Sequence, residues 1–139
     1  MNGDIVVGYD GTECGHAALD HASGLAKALG AKLLVTYGYQ PYQGAGEIGT
    51  QRQLMREEGE RLTAEGVEEA KARGVAAEPA VIPQRPAEAL ANLAAERGAS
   101  MIVVGTYGES PLKGAVLGST PHKLVHMATV PVVVVPTEG

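Results

Sequence analysis

The chain has 139 residues, 45% of them hydrophobic and 19% charged, with 11 Lys and Arg against 16 Asp and Glu for a net charge of −5. That size fits a single domain over residues 1–139 with one compact core, and the charge excludes the basic footprint of a nucleic-acid or anionic-membrane binder. No apolar run approaches the ~18 residues of a membrane span, and Asp4 stands where a signal peptide needs lysines, so the expected location is cytoplasmic.

Cys14 is the one cysteine, which rules out an internal disulfide and a cysteine-based metal cluster within the chain. With no Phe or Trp and five Tyr, the core must be built from Val, Leu, Ile, Met and Ala. Small side chains of this kind imply close packing of helices on a sheet.

In chain order, residues 5 to 9 (IVVGY) are a β-branched run that reads as a strand ending in the turn Asp10-Gly11-Thr12. Ala18, Ala22, Leu25, Ala26 and Leu29 recur at helical spacing over Glu13 to Leu29, with Thr12 as N-cap and Gly30 as the stop. Lys32 to Tyr39 is a second strand, followed by a loop over Gln40 to Thr50. That loop contains a literal G-x-G-x-x-G at residues 44–49. The dinucleotide fingerprint must leave a strand directly, however, and here Pro41 intervenes.

Gln51 to Arg73 is a charged, solvated helix with a sparse apolar stripe, in which Gly59 and Gly66 are expected to fray or bend it. Ala77 to Ile82 reads as an edge strand, because Pro79 has no N–H for a ladder. Pro86 opens a helix that Gly98 closes. The Met101 strand stops at Gly105, a glycine loop follows, and a helix over Thr120 to Ala128 leads to a last strand, Val130 to Val135. The βαβαβαβαβ order and the evenly apolar strands give an α/β fold with a parallel sheet covered by helices on both faces.

Between the fourth strand and the last helix, Gly105, Gly108 and Gly118-Ser119 fit G-x2-G-x9-G-[ST]. A glycine loop feeding a helix N-terminus lets backbone N–H groups reach an anion without a Cβ in the way and adds unpaired donors there. A plain strand-to-helix turn is the competing explanation. At these residues, and at Asp10-Gly11-Thr12 and Val130-Pro131-Val132-Val133-Val134-Val135-Pro136, the chain resembles the universal stress protein family.

The resemblance implies a single doubly wound open sheet of the adenine nucleotide alpha hydrolase type, with strand order 3-2-1-4-5. It also implies an ATP site served by Mg or Mn. Gly105 and Gly108 would approach ribose and phosphates, and Gly118, Ser119 and Thr120 would donate to the phosphates, with Gly118 expected at positive φ. Asp10 would contact ribose or help to place the divalent ion, and Gly8, Tyr9, Gly38 and Val104 would line the adenine side. A regulatory stress-response protein follows, with slow or no ATP hydrolysis, paired as a homodimer through Val130 to Val135. Pro121 departs from the family pattern and removes one N–H near the helix start. The alternatives are a dimeric interaction protein of the same fold without physiological nucleotide, or a true hydrolase using Asp10 as base.

Other chemistry lacks its signature. His122 and His126 share a helix face but bring no carboxylate or cysteine, and His16 and His21 point apart. There is no nucleophile elbow and no Walker lysine, so no catalytic residue and no dedicated metal site is assigned. Lys113 is the cation of the glycine-loop insert.

Overall fold

Valine- and leucine-rich runs alternate with alanine-rich helical ones. In the computed structural model, which describes residues 3–40, 48–106 and 118–137, they become β1 (Ile5–Gly8), α1 (Glu13–Leu29), β2 (Leu33–Gly38), α2 (Ile48–Ala72), β3 (Ala77–Ile82), α3 (Pro86–Arg97), β4 (Met101–Gly105), α4 (Ser119–Met127) and β5 (Val132–Val135). The five strands form one parallel sheet in the order β3-β2-β1-β4-β5. In the register of its centre, Val7 faces Val35 on one side and Val103 on the other.

Alternate residues of each strand serve opposite layers. Ile5, Val7, Leu33, Val35 and Val103 pack with Leu19, Ala22 and Ala26 of α1 and with Leu62 and Val67 of α2. Val6, Leu34, Ile102 and Val104 pack with Leu90 and Leu93 of α3 and Leu124 of α4. Both faces are dry, which is why the strands show no polar alternation.

The helix signals are read as expected at several ends. Thr12 caps α1, its hydroxyl accepting from Gly15 N at 3.2 Å, and Gly30 closes it in the left-handed conformation at φ 67. Pro86 starts α3, and Gly98 ends it at φ 60. β3 lies at the sheet edge with Pro79 opposite Val35.

Five expectations are corrected. α2 begins at Ile48, so Ile48, Gly49 and Thr50 belong to the helix and not to the preceding loop. α4 runs from Ser119 to Met127, and β5 starts at Val132, although the Pro131 carbonyl already accepts from Ile102 N at 2.9 Å. Gly59 and Gly66 do not interrupt α2, which is continuous to Ala72. They are where the helix comes closest to the sheet: a Cβ on Gly59 would stand 2.6 Å from Tyr37 Cδ2, and one on Gly66 2.8 Å from Val35 Cγ1. Finally, Gly118 has φ −66 and ψ 172, an extended conformation open to any residue, and not the positive φ expected of it.

Candidate functional site

Because β1 and β4 are neighbours while α1, which follows β1, and α4, which follows β4, cover opposite faces, the chain leaves the two strand ends in different directions and opens a crevice between them. A cavity of about 570 Å³ lies there. Its wall takes Gly8, Tyr9 and Asp10 from the end of β1, Gly38 from β2, Val104 and Gly105 from β4, and Gly118, Ser119 and Thr120 from the start of α4. Nine sequence-predicted residues, from four separate stretches, thus border one space. Gly108, the tenth, lies outside the described residues, as do Lys113 and most of the G-x-G-x-x-G stretch.

Asp10 is held rigidly. Its Oδ1 accepts from Thr12 N at 3.0 Å and from Thr12 Oγ1 at 2.5 Å, the local turn expected of Asp before Gly. Gly15 of α1 makes room for it, since a Cβ there would stand 2.6 Å from Oδ1. Asp10 is the one charged residue in the described lining. Elsewhere in the wall, Gly118 is the N-cap of α4; its N–H donates to Thr106 O at 2.7 Å and its carbonyl accepts from His122 N at 3.2 Å. No side chain caps this helix start, and Pro121 is buried in its first turn without an N–H, so Ser119 and Thr120 carry the terminal donors.

The predicted glycines separate by neighbour. A Cβ on Gly105 would meet Cys14 O at 2.6 Å and Cys14 Cβ at 2.8 Å, so this position lets α1 lie against β4. A Cβ on Gly38 would stand 2.9 Å from Gln84 O, Pro86 Cα and Ala89 Cβ, so it admits the start of α3. A Cβ on Gly8 would stand 3.2 Å from Leu90 Cδ1 and 3.3 Å from Val104 Cγ1.

Tyr9 borders the cavity, but its side chain joins the α1/α2 core. Its ring meets His16 edge-on at a centroid distance of 5.2 Å, and its hydroxyl lies 3.3 Å from His16 Nε2 and donates to Glu69 Oε2 at 3.5 Å. Burial first, then the carboxylates of Glu69 and Glu65, push the phenol up from 10.0 to about 12. It is therefore neutral at physiological pH.

A sequence profile described as the Universal stress protein family matches residues 1–136. The chain belongs to this family. Its relatives include the "Universal stress protein in QAH/OAS sulfhydrylase 3'region" of Thermus aquaticus, 36% identical over 135 residues that cover 94% of this chain and 96% of the relative. Universal stress protein YxiE of Bacillus subtilis (strain 168) is 33% identical over 150 residues, covering 97% and 99%. A crystal structure of a universal stress protein in complex with cAMP aligns with a TM-score of 0.75 at 29% identity, over 99% of this chain and 100% of the other.

The wall also contains residues that family spacing did not indicate: Gly15, Thr36, Tyr37, Tyr39, Gln40, Met55, Pro86, Leu90 and Pro121. Tyr39 and Gln40 follow β2 directly, and strand ends of an open α/β sheet face its ligand crevice, so their position was open to sequence reasoning. Met55 and Leu90 come from the two covering layers and carry no comparable signal. Among the described residues no three of His, Cys, Asp and Glu gather to hold a metal, and His122 and His126 make only a T-shaped ring contact at 5.5 Å. No described helix is long and apolar enough to cross a membrane.

Proposed function

We propose that this universal stress protein, acting as one domain over its whole length, binds ATP in the cavity between the ends of β1, β2 and β4. The observation that carries this reading is the convergence of Asp10, Gly105 and the Gly118-Ser119-Thr120 helix start on one 570 Å³ space. Anionic phosphates suit the uncapped start of α4, where the N–H groups and hydroxyls of Ser119 and Thr120 would donate to them at the helix end of partial positive charge. Gly108 would extend that cradle. Apolar groups at Gly8, Val104 and Leu90 suit the base and ribose.

Asp10 fits a Mg²⁺ or Mn²⁺ ion as a single carboxylate ligand, since Mg²⁺ is commonly held by one or two carboxylates plus the nucleotide's own phosphates. Among the described residues, both side-chain hydrogen bonds of Asp10 fall on Oδ1. The ion would neutralise phosphate charge beside a carboxylate that otherwise repels it. With no lysine or arginine in the described lining, stabilisation of a phosphoryl-transfer transition state is poor, so turnover is slow or absent and the role is regulatory, in the stress response of the cytoplasm. The active form is a homodimer paired along the C-terminal strand.

A second reading has one observation in its favour: Gly105 and Gly38 are each required by packing against Cys14 and the start of α3, whether or not a ligand binds. On that reading the protein is a dimeric interaction module without nucleotide. Mass spectrometry of ligand released from protein purified without added nucleotide separates the two, together with calorimetric titration of ATP and Mg²⁺. A released adenine nucleotide and a binding isotherm are expected. Protein that carries none and gives no heat at millimolar ATP would leave the interaction module standing.

A further inference from the structure

Helix α4 packs on α3 and on β5, and β5 is an edge strand of the sheet. Pro121 and Leu124 turn into the core, and Ala128 packs against the same cluster. Because α4 runs antiparallel to the strands within a right-handed β4-α4-β5 crossover, its turn of about 100° per residue fixes which flank faces which way. Thr120 and Lys123 come round toward α3, whereas His122 and Val125 come round toward the free edge, with His126 beside them. Exposure agrees with this. Thr120 and Lys123 are half-buried, while His122 and His126 are exposed and Val125 is 56% exposed.

The two histidines stand one helical turn apart on that flank, with ring centroids 5.5 Å apart and the rings edge to face. Two imidazoles that share one tetrahedral zinc ion, each through a nitrogen at about 2.0–2.1 Å, hold their ring centres about 5 Å apart. The pair therefore has close to the spread of a chelate, and small rotations of two exposed side chains supply the difference. One chain brings two ligands, however, and a closed zinc site takes four.

A second copy can bring the other two. When two β5 edges pair antiparallel, the two-fold axis stands perpendicular to the sheet, so both α4 helices fall on the same face, side by side across the axis. The flanks that meet there carry Val125, which is thereby covered, and two histidines from each copy. We propose that His122 and His126 of two copies form one four-imidazole site for a divalent transition ion of the zinc type, which ties the dimer together. The inference rests on the homodimer reading above and needs no nucleotide. Dimer stability then follows the supply of the ion, because the ion binds the paired state in preference to the separate chains.

Protein without a histidine tag or nucleotide, stripped of metal by a chelator and dialysed, is titrated calorimetrically with zinc chloride, with light scattering before and after. Wild type is expected to take one zinc per two chains and to stay dimeric to about 10-fold lower protein concentration when zinc is present. His122→Ala and His126→Ala should each lose about 100-fold or more in zinc affinity, because each removes two of the four ligands. Both should keep the metal-free urea midpoint, since the side chains they remove are exposed. Val134→Pro, which removes an N–H from the β5 edge, should lose the half-equivalent endpoint although both histidines remain. A wild-type dimer that takes no zinc, that takes one zinc per chain, or whose histidine variants bind zinc equally well overturns the site and leaves the dimer standing. Wild type that is monomeric with and without zinc overturns both.

Discussion

Gly105 and Gly118 belong to one motif yet answer to different neighbours. A Cβ on Gly105 would press on Cys14 O and Cβ at 2.6 and 2.8 Å, atoms at the start of α1. Gly105→Ala is therefore expected to destabilise the protein by about 1–3 kcal/mol, the usual cost of overpacking, read from urea denaturation without nucleotide. Gly118 sits at φ −66 and ψ 172, so Gly118→Val needs no backbone strain and should keep the urea midpoint while losing calorimetric ATP binding through its side chain. Unchanged binding in that variant would move the phosphates elsewhere. The motif spacing was legible because neighbouring positions in one loop set it. Which glycine serves packing was not, because Cys14 meets Gly105 only through the fold. Tyr9 shows the same limit: its sequence position put it at the crevice, but burial and the carboxylates of Glu69 and Glu65 decide its titration. Its folded phenol holds the proton up to about 12 against 10.0 for the ordinary group, so the unfolded chain releases it first. The resulting stability is complete below pH 10 and declines between pH 10 and pH 12. An alkaline absorbance titration should show a tyrosine that ionises late, absent in Tyr9→Phe, whose stability should also fall less across that window.

Helix α2 illustrates how an element's fate depends on the layer beneath it. Its composition, charged with a sparse apolar stripe, marked it as a solvated cover, and that part was local information. The roles of Gly59 and Gly66 were not local, because the atoms they admit belong to Tyr37, Val81, Val35 and Tyr9. Helix propensity alone favours Ala over Gly by about 1 kcal/mol, so Gly66→Ala ought to stabilise an isolated helix. In this fold its methyl would stand 2.8 Å from Val35 Cγ1 and 3.2 Å from Tyr9 Cδ2, lifting α2 off the sheet. Gly24 in α1 provides the opposite case, since a Cβ there meets nothing within 4 Å. Urea denaturation is expected to show Gly24→Ala stabilised by about 0.5–1 kcal/mol and Gly66→Ala destabilised. Equal stabilisation of both would mean that α2 does not lie this close to β2. Element ends were the least legible feature: β5 begins after Pro131, because a proline lends its carbonyl to the ladder but has no N–H to complete a strand residue.

At the scale of the molecule, alternating apolar and helical runs announced a parallel sheet, but the order of its strands came only with the family resemblance, since periodicity holds no information on which strands are neighbours. That order leaves β5 at an edge. Its side chains are not the open part: Val133 and Val135 pack toward the α1/α2 core, Val132 and Val134 toward the α3/α4 core, all half-buried. A lysine at any of them would damage the subunit as well as a dimer, which makes the backbone the better probe. Ile102 N donates to Pro131 O at 2.9 Å, and in a parallel ladder with Ile102 opposite Val132 this turns Pro131 and Val133 toward β4 and leaves Val132 and Val134 facing outward. An outward row of N–H and C=O groups on an apolar strand invites a second copy. Val134→Pro removes one outward N–H without touching the β4 ladder, whereas Val133→Pro breaks that ladder. Light scattering at tens of micromolar should find wild type dimeric and Val134→Pro monomeric with its urea transition retained, while Val133→Pro loses stability itself. A monomeric wild type, or a Val134→Pro dimer as tight as wild type, would mean that the β5 edge is not where two copies join.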